Sequence, residues 1–435
     1  MNTSSGNDTP RVRVKRPERR QIEWRSASLD QLIPIDHRVR SVWAYVEGLD
    51  LSALYRKIKA VEGHVGRDAV DPQILMALWL FATIEGISSA RRLAALCERD
   101  LAYLWICGGV SVNHHLLSDF RTGHREFLDQ LLTDTIATLL HRQIVTLETV
   151  AQDGMRVRAN AGTGSFRGRS TLESYREQAA EHIRKLAEQN TEDDPSDSNG
   201  NARQKGAQDR AARERLERVE QALGDLKELE QQKEARKKGS GEGARCSTID
   251  PQARTMKMPN GGFSPAYNVQ FATDAQSRMI VSVDVSNNGS DGAQMAPRHK
   301  DIHDRYGCYP ENYLVDGGFA TKNDITLLDQ RGTRVYAPIL QEEFMRARGN
   351  NPHARQPGDS DEMFDFRQRM ATAEAKTIYK QRCSVAEFPN AECRNRGLQQ
   401  FPVRGLCKVK AIALWHAITF NFLRMMTLGC LQPAL

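Results

Sequence analysis

Apolar residues between Leu29 and Leu147 recur with the period of a helix. Val39, Val42, Trp43 and Val46 share one face, and Leu54, Ile58 and Val61 continue the same period. Asp71-Pro72 marks a helix start ahead of the strongly apolar run Ile74 to Ile84, because an N–H at the first helical position has no intrahelical partner to lose. Ser88-Ser89 predicts the cap of the next helix, in which Arg91, Arg92 and Arg99 face away from Leu93 and Leu96. A further helix is expected after His114-His115, with Phe120, Phe127, Leu128, Leu131 and Leu132 on its apolar side and Arg121 and Arg125 on its polar side. Residues 26-147 therefore read as an all-α N-terminal domain. A helix–turn–helix inside it would turn these arginines toward DNA, and the wet face of a bundle would carry the same residues.

The period changes after Thr146. Met155, Val157 and Ala159 alternate with Arg156, Arg158 and Asn160, which predicts a strand or tight hairpin beside Gln152-Asp153-Gly154. Ser170 to Lys238 is charged and helix-forming, broken only by the polar linker Asp193 to Gly200. Within it Leu216, Val219, Leu223 and Leu226 hold an a/d spacing too briefly for a free-standing coiled coil, so 170-245 reads as a helical hairpin inserted into another domain. Tyr267, Val269 and Phe271, then Ile280, Val281, Val283 and Val285, flank a turn at Asp274 to Ser277 and predict a β-hairpin. A helix through Ala293 to Tyr306, a strand ending in Asp316-Gly317-Gly318, a helix from Thr321 to Gln330, a strand Val335 to Ile339 and a helical C-terminal region complete 148-435 as an α/β domain with one long excursion. Val409 to Leu428 is the most apolar stretch, but His416, Asn421 and Arg424 interrupt it, and a buried amphipathic helix is expected rather than a membrane span.

Composition adds limits. Of 435 residues, 40% are apolar and 27% charged, and with a mean hydropathy of −0.57 this argues against a membrane protein and against disorder throughout. The net charge is only +6, so a nucleic-acid partner has to be argued from where the charges sit. Residues 1-25 hold Arg11, Arg13, Lys15, Arg16, Arg19, Arg20 and Arg25 against Asp8, Glu18 and Glu23, a basic arm suited to tracking phosphates or to remaining a solvated tail. The arm has no apolar run, so no secretory signal is expected. The eight cysteines form no C-x-x-C, which fits reduced thiols in a cytosol better than a zinc ribbon or disulfide framework.

Candidate chemistry starts with acids near strand ends. An open α/β sheet gathers strand ends at one edge, so Asp153 and Asp316 could meet there although far apart in the chain. Two carboxylates at one edge suit Mg²⁺, and a pair of such ions about 4 Å apart could activate a water and stabilise the leaving oxygen of a phosphodiester. Each Asp-Gly could also simply cap a turn. A third acid is offered by Glu387, in the spacing Tyr379, Arg382, Glu387, Arg394, with Glu392 as its competitor and Pro389 disturbing the helix phase. His299 and His303, beside Asp301 and Asp304, could bind a transition metal, and a surface helix carries the same pattern.

Four segments in order resemble the DDE transposases of bacterial insertion sequences: Asp153-Gly-Met-Arg-Val-Arg-Ala-Asn, Gly261-Gly262-Phe263 to Tyr267-Asn268-Val269-Gln270, Leu314-Val315-Asp316-Gly317-Gly318-Phe319, and Ala386-Glu387-Phe388-Pro389-Asn390-Ala391. The resemblance implies an RNase H-like mixed sheet flanked by helices, preceded by a helical N-terminal domain. It implies Asp153, Asp316 and Glu387 as catalytic residues and as ligands of two Mg²⁺ ions, with Mn²⁺ as a substitute. Tyr379 and Arg382 match the family signature around the Glu, which then follows with one extra residue in the gap, and Arg394 stands where the family has Lys. These three are implied to bind DNA phosphates, and Arg keeps the cation while changing its reach. DNA contacts are implied for Arg13, Lys15, Arg16, Arg91, Arg92, Arg121 and Arg125. The partners implied are the element's terminal inverted repeats, target DNA and a second copy in the DNA complex, with no membrane and a cytoplasmic, nucleoid-associated location. The alternative is a DNA-binding derivative that no longer cleaves.

Overall fold

The computed structural model describes residues 26–60, 68–192, 199–235 and 241–431; the basic arm with Arg13, Lys15 and Arg16 lies outside them. Eight strands are described: β1 Thr149–Arg158, β2 Phe166–Arg167, β3 Cys246–Ser247, β4 Arg254–Lys257, β5 Phe263–Asp274, β6 Ile280–Ser286, β7 Asn312–Leu314 and β8 Arg334–Tyr336. The main sheet is six-stranded and mixed, in the order β4-β5-β1-β7-β8, with β6 also paired to β5. β1, β5 and β6 are antiparallel neighbours, while β7 and β8 run parallel to β1. The expected hairpin is β5 and β6. β4 was not expected; it is a short strand that pairs with the first part of β5.

In the helical N-terminal region Arg38–Glu47 buries Val39, Val42 and Val46, the expected face. The continuation through Leu54 and Ile58 is a single turn, Ser52–Tyr55, and Val61 lies outside the described residues. Pro72–Ile84 starts as expected, with the Asp71 carboxylate accepting from Gln73 N at 2.8 Å. The helix expected after His114 is two helices, His114–Gly123 and Arg125–His141, because His124 (φ −122°) leaves the helical region. Arg121 and Arg125 therefore do not share a helix face.

The helix Leu406–Thr427 joins the two halves. It packs on β6 and on Pro72–Ile84, His114–Gly123 and Arg125–His141, so one apolar core extends from Ile33 to Met425. It is long and apolar enough to cross a membrane, yet 72% of its most apolar window is buried within the fold. It is not amphipathic as expected: every residue from Ala411 to Phe422 is buried. Its polar residues serve the packing. Asn421 accepts from Ile280 N at 2.9 Å and donates to Ile280 O at 2.8 Å, completing the open edge of β6, and Arg424 donates to Ser277 O at 2.8 Å. Trp415 donates its indole N–H to Arg121 O at 3.0 Å.

The insertion is built on the two-stranded pair β2–β3 and consists of helices Arg169–Glu192 and Asn199–Ala235 packed together. The expected a/d seam is half right. Val219 and Leu226 are buried, Leu216 and Leu223 only half-buried, and Ala212 and Ala222 fill the seam with Leu172 and Ala179 opposite. Small residues bring the helices close, and a longer apolar seam is not needed.

Candidate active site at the sheet edge

Parallel pairing of β1 with β7 sets Ala151 beside Leu314 and stops there, while β1 runs on along β5 to Arg158. Asp153 and Asp316 each lie two residues past that last pair, Asp153 still within β1 and Asp316 in the turn that follows β7. Asp153 is thus inside a strand and beside the end of its neighbour. Gly154 is not in a turn: it pairs with Gln270, and a Cβ there would stand 2.5 Å from both Asp291 Oδ1 and Gln270 Nε2. Glycine is required by close approach at this point. The turn reading holds instead at Asp316, whose carbonyl accepts from Phe319 N at 3.0 Å.

The third acid arrives on a helix of unusual winding. Helix Ala373–Arg382 passes through a π-helical turn, Cys383–Glu387, into Phe388–Asn395. A π turn closes i→i+5 bonds and takes in one more residue than an α turn. The residue extra to the family spacing is accommodated here, and Glu387 comes back over Arg382, five positions earlier, with Arg382 Nη1 at 3.6 Å from Glu387 Oε1. Pro389, which has no N–H to give a preceding carbonyl, sits just after this widened turn.

Arg382 also donates to Asp153 Oδ1 at 3.2 Å, and Asn390 donates to Asp153 Oδ2 at 2.9 Å. With the N–H of Gly154 at 2.9 Å, Asp153 is held by three donors. Burial pushes its carboxyl pKa up; Arg382 and the Gly154 N–H work against this, and the charges of Asp291 and Asp316 add to it. Burial likewise raises the Tyr379 phenol, which feels the charges of Arg382, Asp316 and Asp153. Asp153 is 20% exposed and Glu387 60%, so one acid is fixed in the fold and the other reaches outward.

The fold thus brings Asp153, Asp316, Glu387, Tyr379 and Arg382 together. Arg394 is half-buried one turn beyond Asn390 and has no contact with these carboxylates among the described residues. Glu392, the competing acid, is paired with Arg396 at 2.8 Å. His299 is not on a surface: it is fully buried, its Nε2 lies 2.7 Å from Thr333 Oγ1, and both it and His303 stack on Tyr309. Its ring is engaged in packing rather than free for a metal.

Among the described residues no three His, Cys, Asp or Glu side chains are close enough to hold a metal ion. The Arg382 guanidinium bridges Asp153 and Glu387 and supplies positive charge there. The donor set is nonetheless all carboxylate oxygen, the chemistry that suits a hard divalent cation.

On the other face of β1 lies a polar layer that the sequence reading missed. Tyr313 donates to Gln152 Oε1 at 2.9 Å, Gln152 to Gln270 Oε1 at 2.9 Å, and Gln270 to Asp291 Oδ1 at 3.0 Å. Asn268 and Arg156 also reach Asp291, each at 2.7 Å. Polar residues at positions 268 and 270, alternating with Tyr267, Val269 and Phe271, were the available signal, and Asn390 lay within the quoted Glu387 segment without a role.

Of the arginines expected at DNA, Arg91 and Arg92 are exposed, and Arg125 is partly exposed and pairs with Glu126 at 2.7 Å. Arg121 is a correction. It is 6% exposed, lies 4.6 Å over the Trp79 ring and donates to the Ser88 carbonyl, because Leu406–Thr427 covers the side of the helix that local periodicity marked as polar.

Residues 27–123 match the family described as a transposase domain (DUF772), and residues 232–422 match the family described as a transposase DDE domain. No curated protein and no solved structure matches the chain. Asp316 and Glu387 fall inside the second match, and Asp153 falls between the two.

Proposed function

Because the chain belongs to the DDE-type transposases of insertion sequences, we propose that Asp153, Asp316 and Glu387 are its catalytic carboxylates in a metal-dependent cleavage and joining of DNA. The observation that carries this reading is Arg382, which touches both Asp153 and Glu387 while Asp316 follows the end of the neighbouring parallel strand and its charge acts on Asp153. Two divalent cations held by these three acids, Mg²⁺ or Mn²⁺ in its place, would supply Lewis-acid charge at the phosphodiester and make water or a hydroxyl a better nucleophile.

The chain's own groups have separate tasks. Asn390 and the Gly154 N–H keep the Asp153 carboxylate aimed at the sheet edge. Arg382 balances the acids until DNA enters and then binds a phosphate, its planar fork matching phosphate oxygens. The Tyr379 hydroxyl and the Arg394 cation add phosphate contacts on the same helical segment. Arg91, Arg92 and Arg125, with Arg13, Lys15 and Arg16 of the arm, neutralise backbone phosphates without reading sequence. Hydrolysis at the element's end frees a 3′-hydroxyl, which then attacks a target phosphodiester. Each step breaks one P–O bond and forms another, so neither needs an oxidant or an energy source. The substrate is terminal inverted-repeat DNA, the complex contains two copies, and the protein works in the cytoplasm at the nucleoid.

The test is Mg²⁺-dependent nicking of inverted-repeat duplexes by the wild type and by Asp153→Asn, Asp316→Asn and Glu387→Gln. Each variant is expected to lose at least about 100-fold in rate while still binding DNA. A wild-type rate in any one removes that residue from the set. Specific binding without nicking by the unaltered protein would favour the second reading, a non-cleaving DNA-binding protein.

A further inference from the structure

A cavity lies where the N-terminal helices meet the terminal helix, lined among others by Trp79, Arg121, Arg396, Trp415 and His416. Its free space is narrow, with room for an occupant about the size of a water molecule. Three buried polar atoms of its lining have no hydrogen-bond partner: Arg121 Nε, Arg396 Nε and His416 Nδ1. Arg121 and His416 are 6% and 7% exposed, so bulk water does not satisfy them.

Charge decides what would. Arg396 is paired with Glu392, but Arg121 forms no ion pair among the described residues and has only the Ser88 carbonyl and the Trp79 ring as partners. Burial pushes the Arg121 pKa down to about 10, which still leaves it charged at neutral pH. Burial, reinforced by Arg396, pushes His416 down to about 3, so that ring is neutral and adds no charge. The residues lining the cavity therefore carry one uncompensated positive charge and unpartnered nitrogens from segments far apart in sequence. A buried cation without a counter-charge is costly. A water molecule would satisfy the hydrogen bonds but leave the charge.

We propose that this cavity is a binding site for a small monovalent anion, a halide such as chloride, held by Arg121, Arg396 and His416. The narrow free space favours the smallest anions. The anion would join the helical N-terminal region to Leu406–Thr427 and to the segment that carries Asn390 and Glu387, since Arg396 directly follows Phe388–Asn395. The site is independent of the reading of the three acids.

The test is thermal unfolding of the full chain, without DNA, at one ionic strength in chloride, bromide or gluconate. Halide is expected to raise Tm over gluconate by about 2 °C or more, and Arg121→Met to erase the difference. Crystals of the wild type soaked in bromide are expected to show an anomalous peak between Arg121, Arg396 and His416. A wild-type Tm indifferent to the anion, or a halide effect that persists in Arg121→Met, overturns the proposal. If Arg121→Met does not fold, the bromide peak decides: its presence supports the site, and its absence overturns it.

Discussion

Beneath Asp153, the buried Gln152, Asn268 and Gln270 and the mostly buried Asp291 are linked by hydrogen bonds between partners up to 118 positions apart. Along the helical insertion many ion pairs are local and exposed, Arg184 with Glu181, Lys185 with Glu181 and Arg213 with Asp209 being three or four positions apart, while Arg169 pairs with Glu230 from one helix to the other. The two regions are equally polar to the eye. They differ in desolvation. A buried polar group that loses its partner keeps the whole cost of leaving water, whereas an exposed one is resolvated at once. The layer under Asp153 therefore holds β1 in one position, and the insertion's charges keep its surface wet while its small-residue seam packs its helices together.

Substitutions at the two regions should separate sharply. The largest effect is expected at Gly154: Gly154→Val drives a side chain into the Asp291 and Gln270 groups and should destabilise by about 3 kcal/mol or more, read from urea unfolding. Unchanged stability would mean that this approach is not close. A smaller effect follows from acid. His299 and His416 are both pushed down to about 3 by burial, so both are neutral in the fold. An unfolded chain takes up those protons below about pH 6.5. Their contribution to stability is therefore complete above that pH and is lost progressively as pH falls toward 3. Tm should drop across this window by the equivalent of roughly a few kcal/mol, and His416→Gln should flatten part of the slope. Next, Asn390→Ala removes one of the donors to Asp153 and should cost about 1 kcal/mol of stability, with a proportionately greater loss in nicking rate. Last, Arg184→Ala in the insertion should leave the unfolding midpoint where it is; a clear shift there would break the contrast.

Much of the site could be read before folding was considered. Asp153, Asp316 and Glu387 were each candidates from their place in strand-like or helical pattern, and Tyr379 and Arg382 from their spacing to Glu387. Glu392 could not be set aside from spacing, because only its pairing with Arg396 takes it out of the set. The extra residue before Glu387 was visible as a mismatch, but the π turn that takes it in, next to the contact of Arg382 with Asp153, appears only in the folded chain. Asp291 carried no local mark, since it lies in a loop and acquires meaning only from the glycine it approaches on another strand.

Arg121 sharpens the division. The sequence pattern sets it with Arg125 on a polar side, apart from Phe120, and in an isolated helix that side would be wet. The terminal helix, contributed by residues nearly three hundred positions later, covers it. By itself the chain's pattern determined which segments are helices and strands, which faces are apolar and which acids stand at strand positions, because those follow from backbone geometry and short-range spacing. The tertiary structure alone decided which polar residues are buried, which acids meet and which cation lacks a partner. Desolvation and charge pairing depend on what packs against a residue, and that is set by segments no local period can see.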